Sequence, residues 1–135
     1  MKTWKGKKNS GFTMMELMIV IVIVAILVAL AYPSYIQYVR KGKRGEAQQL
    51  LMNWAINQEI WRSNNAQYAT LAQLPAPTND NYTFTLPARS ATAYTLQAAA
   101  QSGNDQANDK ARDATDCSSL TLTHQGVKAP PACWN

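Results

Sequence analysis

The sequence predicts an α+β fold: a long N-terminal helix, its first half membrane-spanning, packed on a small antiparallel sheet with a C-terminal disulfide loop. Three observations predict it. Nothing polar interrupts Leu17 to Ala31, and after Tyr35 apolar residues recur at three- and four-residue steps. Beyond Tyr82 the apolar period switches to two. Cys117 and Cys133, the only cysteines, both lie near the C-terminus.

The helix is expected from Phe12 to about Ser63, with a length on the order of 75 Å. Ala47, Leu50, Leu51, Trp54, Ala55 and Trp61 form a stripe that needs a partner surface. Gln48, Gln49, Asn53 and Asn57 fill much of the remainder. Pro33 removes one backbone hydrogen bond, which predicts a kink or a melted turn. Gly42 and Gly45 each weaken the helix by about 1 kcal/mol relative to alanine. Arg40, Lys41, Lys43 and Arg44 read as a solvated collar above the headgroups, with pairing to acidic faces of neighbouring subunits as a second role.

Asn64-Asn65 ends the helix, and a connection punctuated by Pro75 and Pro77 follows. Three strands are then expected, around Tyr82–Leu86, Ala93–Ala98 and Leu120–Thr123. Tyr82, Phe84, Leu86, Tyr94, Leu96 and Ala98 would form one apolar face, the natural partner of the Leu51/Trp54/Trp61 stripe. Gln101 to Asp116 is rich in Asn, Asp, Ser and Ala without apolar periodicity, which predicts a mobile surface loop. A lone cysteine pair in this position reads as a disulfide in an oxidising compartment. Closing that loop stabilises the fold by about 3 kcal/mol on the chain-entropy model, a large share for a small domain.

Removing the N-terminal segments leaves about 100 residues, room for one small domain. The formal charge of +5 misleads as a sign of nucleic-acid binding, because Lys2, Lys5, Lys7 and Lys8 supply four units. Without them the chain sits near +1 and lacks the bulk electrostatic footprint of a phosphate binder. Lysines before the span and cations after it nearly balance, so the cysteines decide the topology. They place the body outside the cytoplasm and the N-terminus inside.

Glu16 is the most informative residue. An ionised carboxylate beside hydrocarbon costs a few kcal/mol even on lenient scales, so it needs a named partner. A cut after Gly11 would create one, a cationic amine on Phe12. Gly11-Phe12-Thr13-Met14-Met15-Glu16-Leu17, behind a lysine-rich leader, resembles the class III signal sequence of type IV pilins and type II secretion pseudopilins. The resemblance extends through Ala31-Tyr32-Pro33-Ser34-Tyr35 to the cysteine loop, and is strongest to a minor pilin of the PilE type.

The resemblance implies the type IV pilin fold and a division into leader 1–11, membrane and assembly segment 12–35, and periplasmic domain 36–135. It implies cleavage between Gly11 and Phe12 by a prepilin peptidase and N-methylation of Phe12. Phe12 and Glu16 would then serve subunit assembly. At about 4 Å and an effective dielectric near 20 such a pair gains about 4 kcal/mol before desolvation is subtracted. Pro33 would mark where the helix curves, and Cys117–Cys133 would bound an exposed region used in adhesion or subunit contact. Partners would be inner-membrane lipid before assembly, the inner-membrane assembly platform, the major pilin and other minor pilins. The chain would be a single-pass inner-membrane protein with its N-terminus cytoplasmic, and later part of an extracellular pilus.

Competing readings remain. Ala29-Leu30-Ala31 fits an ordinary signal-peptide cut, and an uncut anchor is possible in principle. Glu16 and an apolar run of about 20 residues oppose the first. The leading function is a structural subunit supporting pilus assembly, and hence twitching motility, adhesion or DNA uptake. A secretion pseudopilin is the near alternative, opposed by the cysteine pair. A tip pilin binding DNA is the other, but Lys110, Arg112 and Lys128 are too sparse for a basic stripe unless assembly gathers them. No catalytic, cofactor or metal constellation is legible: His124 is the only histidine. Asp105, Asp109, Asp113 and Asp116 lack a calcium-loop glycine pattern, leaving calcium a remote reading.

Overall fold

The computed structural model describes residues 11–134. They form α1 (Met14–Asn64), β1 (Tyr82–Arg89), β2 (Tyr94–Ala100), β3 (Ser119–Thr123) and β4 (Lys128–Ala129). Short 3-10 turns lie at Asp105–Asn108 and Pro131–Trp134. The chain divides into two units between Ile36 and Gln37. The leader lysines fall outside the described residues.

The first unit is the opening part of α1. Thr13 Oγ1 accepts the Glu16 backbone N–H at 3.2 Å, and the Leu17 N–H reaches the Thr13 carbonyl at 3.2 Å. Thr13 and Glu16 thus stand at the two positions of a capping box, with the acid at the positive end of the helix dipole. The side chains from Met14 to Tyr35 are exposed, on a helix long and apolar enough to cross a membrane. α1 is unbroken at Pro33, although that ring supplies no N–H to the Ala29 carbonyl.

In the second unit the strands lie in the order β1-β2-β3-β4, each antiparallel to the next. Alternation puts Tyr82, Phe84, Tyr94, Leu96, Ala98, Leu120 and Leu122 in one core with Ala47, Leu51 and Trp54 of α1. Trp61 is half-buried. The helical stripe and the sheet face are therefore two halves of one apolar cluster. On another side of α1, Met52, Ile56 and Ile60 recur every four residues and stay exposed.

Two strand details differ from the sequence reading. β1 continues through Pro87 to Arg89, which an edge strand permits because its outer N–H groups need no ladder partner. Its register shifts between Thr85 and Ala88. β4 is a two-residue strand, too short to show alternation, pairing Ala129 with Thr121 and Lys128 with Leu122. Gly126 takes φ +77° in the turn before it, where a side chain would be strained.

Polar side chains of α1 fasten the connecting segments. Gln58 is fully buried and bonds both backbone groups of Ala69, accepting at 2.9 Å and donating at 3.2 Å. Gln48 donates to the Cys133 carbonyl at 2.7 Å. Cys117 and Cys133 form a disulfide, both fully buried.

The Gln101–Asp116 segment corrects its expectation. It is not a loose loop: Asn104 caps a 3-10 turn, and Gln106 and Asp109 are buried against α1. Apolar periodicity is absent because charged and amide groups do the anchoring.

Candidate functional site

The anchoring is a ladder of matched spacings. Arg40 and Arg44 stand one helical turn apart on α1, and Asp105 and Asp109 are also four residues apart. Arg40 grips Asp105 with both ends of its fork, Nε to Oδ2 at 2.8 Å and Nη2 to Oδ1 at 2.6 Å, while Nη1 reaches the Asn108 carbonyl at 3.2 Å. Arg44 Nη1 donates to Asp109 Oδ2 at 2.8 Å, with side chains only 5% and 3% exposed. Between the rungs, Gln106 Nε2 lies within hydrogen-bond distance of the Arg40 carbonyl at 3.0 Å, the Tyr82 hydroxyl at 2.8 Å and Asp109 Oδ2 at 3.1 Å, three acceptors sharing its two protons.

The electrostatics follow from burial. The Arg40 hydrogen bonds hold the Asp105 carboxyl below the usual carboxylate range. Burial pushes Asp109 up, and the neighbouring Arg44 pulls it back only in part. Burial likewise pushes the Tyr82 hydroxyl to about 12, keeping it protonated.

This ladder overturns the solvated-collar reading for Arg40 and Arg44, which find their acids within their own chain. It also answers the calcium question for half the acids, since Asp105 and Asp109 are taken by guanidinium groups. Sequence reasoning missed the pairing, although the matched spacing of the arginines and aspartates was a signal for it.

Directly after Asp109 the chain makes a short excursion. The backbones of Lys110 and Asp116 pair in an isolated antiparallel β-bridge, the Ala111 N–H meets the Thr115 carbonyl at 2.9 Å, and Asp113 Oδ1 accepts from the Thr115 N–H at 3.0 Å. The Cys117 N–H closes the base on the Asp109 carbonyl at 3.0 Å. The excursion is thus rooted by the buried ion pair on one side and the disulfide on the other. Lys110 and Arg112 stand exposed on it and form no ion pair among the described residues. Lys128 is exposed on β4, its Nζ 5.1 Å from the Trp134 ring centre. All three cations therefore lie in the segments that the disulfide joins.

The other predicted residues are placed apart from this surface in sequence. Gly11 and Phe12 precede α1, Phe12 being 84% exposed, and Glu16 is exposed in the first turn. His124 packs edge-on to Tyr94, ring centres 6.2 Å apart, beside a shallow cleft of about 250 Å³ lined also by Arg89, Thr95 and Thr123. Its backbone N–H bonds the Tyr94 carbonyl, so the histidine sits where a strand end would place it.

Two family models match. One, described as type IV minor pilin ComP, DNA uptake sequence receptor, covers residues 33–121, more than half of the chain. The other, the prokaryotic N-terminal methylation motif, covers residues 6–32. No curated protein matches the chain. Among solved structures, a type IV pilin from Shewanella oneidensis is 27% identical with a TM-score of 0.53, covering 71% of this chain and 98% of that one. The Neisseria meningitidis non-core minor pilin PilV superposes at a TM-score of 0.56 with 19% identity, covering 69% of this chain and 87% of that one. The second likeness concerns the fold alone.

The methylation motif implies processing by a prepilin peptidase and a membrane-anchored prepilin. The matched model is that of ComP, a finer assignment than the PilE-type resemblance. This helix, this four-stranded sheet and this C-terminal disulfide make the type IV pilin fold of a structural, non-enzymatic protein, and with the matched model the chain belongs to the type IV pilin family as a ComP-type minor pilin.

Proposed function

We propose that this minor pilin is a DNA receptor of a type IV pilus, serving DNA uptake. The sequence alone put pilus assembly first, with a secretion pseudopilin and a DNA-binding tip pilin as the alternatives; the ComP match favours the last of these. One observation carries the reading. The matched region contains the rooted excursion on which Lys110 and Arg112 stand exposed, where they could meet phosphates, Lys110 in competition with the nearby Asp116. Lys128 adds a third exposed cation, its ammonium set over the half-buried Trp134 ring. Without its four leader lysines the chain is near neutral and does this by local placement of charge, so the affinity should be modest and strongly salt-dependent.

Before it binds DNA the chain must reach the pilus. In this reading it is cut between Gly11 and Phe12, methylated on Phe12 and held in the inner membrane by residues 12–35, its domain periplasmic. The Phe12 amine and Glu16 carboxylate then set subunit register, since a misplaced neighbour leaves both charges unpaired in apolar surroundings. The unpaired Ala29 carbonyl ahead of Pro33 makes that turn the first to yield when the helix leaves lipid.

The test is selection of duplexes from a random DNA library by the full chain in detergent micelles. Enrichment of a common motif is expected, with binding that weakens steeply as salt rises. Lys110→Ala and Arg112→Ala should each weaken binding across sequences and lower the log–log salt slope by about 1. No retention of DNA at low salt would remove the receptor reading and leave an assembly subunit.

A further inference from the structure

We infer that Arg40 and Arg44 are positioning residues for the DNA-contacting excursion, acting through Asp105 and Asp109 and not by touching DNA. The inference rests on the receptor reading above and says how that surface is kept usable.

The argument begins with charge. Between Asp105 and Asp116 four aspartates face two cations, Lys110 and Arg112, so the segment alone is two units negative and would repel a polyanion. Arg40 and Arg44 supply the two positive charges that cancel it. Asp105 takes a bidentate grip at 2.6 and 2.8 Å, and Asp109 is paired out of solvent at 2.8 Å. Lys43 stands near enough to add a weaker pull on Asp105. The acids left outside the ladder are occupied in turns, Asp113 by the Thr115 N–H and Asp116 by the Ser118 N–H at 2.8 Å.

The second part is geometric. Asp109 is the residue before Lys110, and its carbonyl holds the Cys117 N–H at the excursion's base. A buried guanidinium on Asp109 therefore fixes the backbone that aims Lys110 and Arg112. Pre-ordering those cations means that binding does not have to order them, which is where preorganised contacts gain affinity. The Gln106 amide, bonded to both the Arg40 carbonyl and Asp109, makes the rungs one unit.

The experiment uses the full chain in detergent micelles, well below its unfolding temperature, with the duplex pool retained by the wild type. It compares Arg40→Ala with the charge-exchanged pair Arg40→Asp/Asp105→Arg, leaving the buried rung intact so that folding is preserved. Arg40→Ala should weaken DNA binding about fivefold, on the scale of one partly exposed ion pair. It should also speed amide hydrogen exchange across Lys110–Asp116. The exchanged pair should restore both. Unchanged affinity in Arg40→Ala overturns the inference while leaving the receptor reading intact. If the exchanged pair restores slow amide exchange but not affinity, Arg40 is itself a phosphate ligand and positioning is overturned. A wild type that retains no DNA overturns the receptor reading, and this inference with it.

Discussion

Arg44 and Asp109 are almost wholly withdrawn from water, so neither tolerates the loss of the other. Arg44→Met should destabilise the protein by about 3 kcal/mol, because an uncompensated carboxylate stays buried. Arg44→Met with Asp109→Leu should recover most of that loss, read from urea midpoints of the full chain in micelles. Tyr82 carries a different signature. Its hydroxyl pKa rises from 10 to about 12, so the folded state holds a proton that the unfolded state releases. The stability is fully present below pH 10 and falls as pH climbs toward 12, by about 2 kcal/mol across that window. Burial raises Tyr94 in the same direction. Tyrosinate absorbance followed alongside circular dichroism should show ionisation and unfolding together, and Tyr82→Phe should flatten the alkaline decline. Asp105 works the opposite way: held low by Arg40, its contribution is present above the ordinary carboxylate pKa and is lost on acidification.

Elements were legible in proportion to how far their signals are local. α1 and the three longer strands announce themselves by period, since burial of one face forces the repeat onto the sequence. β4 has two residues and no repeat to show. The polar fastenings were hidden for another reason: Gln48 looks like filler beside the apolar stripe and Gln58 carries no signal at all, yet their partners are backbone groups of Cys133 and Ala69. A one-dimensional pattern carries no trace of a partner whose place depends on the finished fold. The same holds for Arg40 and Arg44, where spacing hinted and only the fold decided. Gln58→Ala should therefore cost about 2 kcal/mol, since it strands two buried backbone groups. Replacing both Cys117 and Cys133 by serine should cost about 3 kcal/mol and lower the thermal midpoint accordingly.

For the whole molecule, the proposed function puts two tasks on separate stretches of sequence, an assembling N-terminus and a receptor surface around the disulfide. They should separate genetically. Glu16→Ala is expected to leave membrane insertion intact while depleting the protein from sheared pili, and its normal recovery there would refute the register role. Lys110→Ala should do the reverse, entering pili normally while DNA retention falls. One feature of α1 bears on handling the molecule at the bench. Met52, Ile56 and Ile60 form an exposed greasy ridge well past the apolar run that ends at Ala31. Trimming away residues 1–35 would keep that ridge in water, so the shortened protein should stick to itself at high concentration. Lysine or glutamate at Ile56 and Ile60 should render it monodisperse by light scattering.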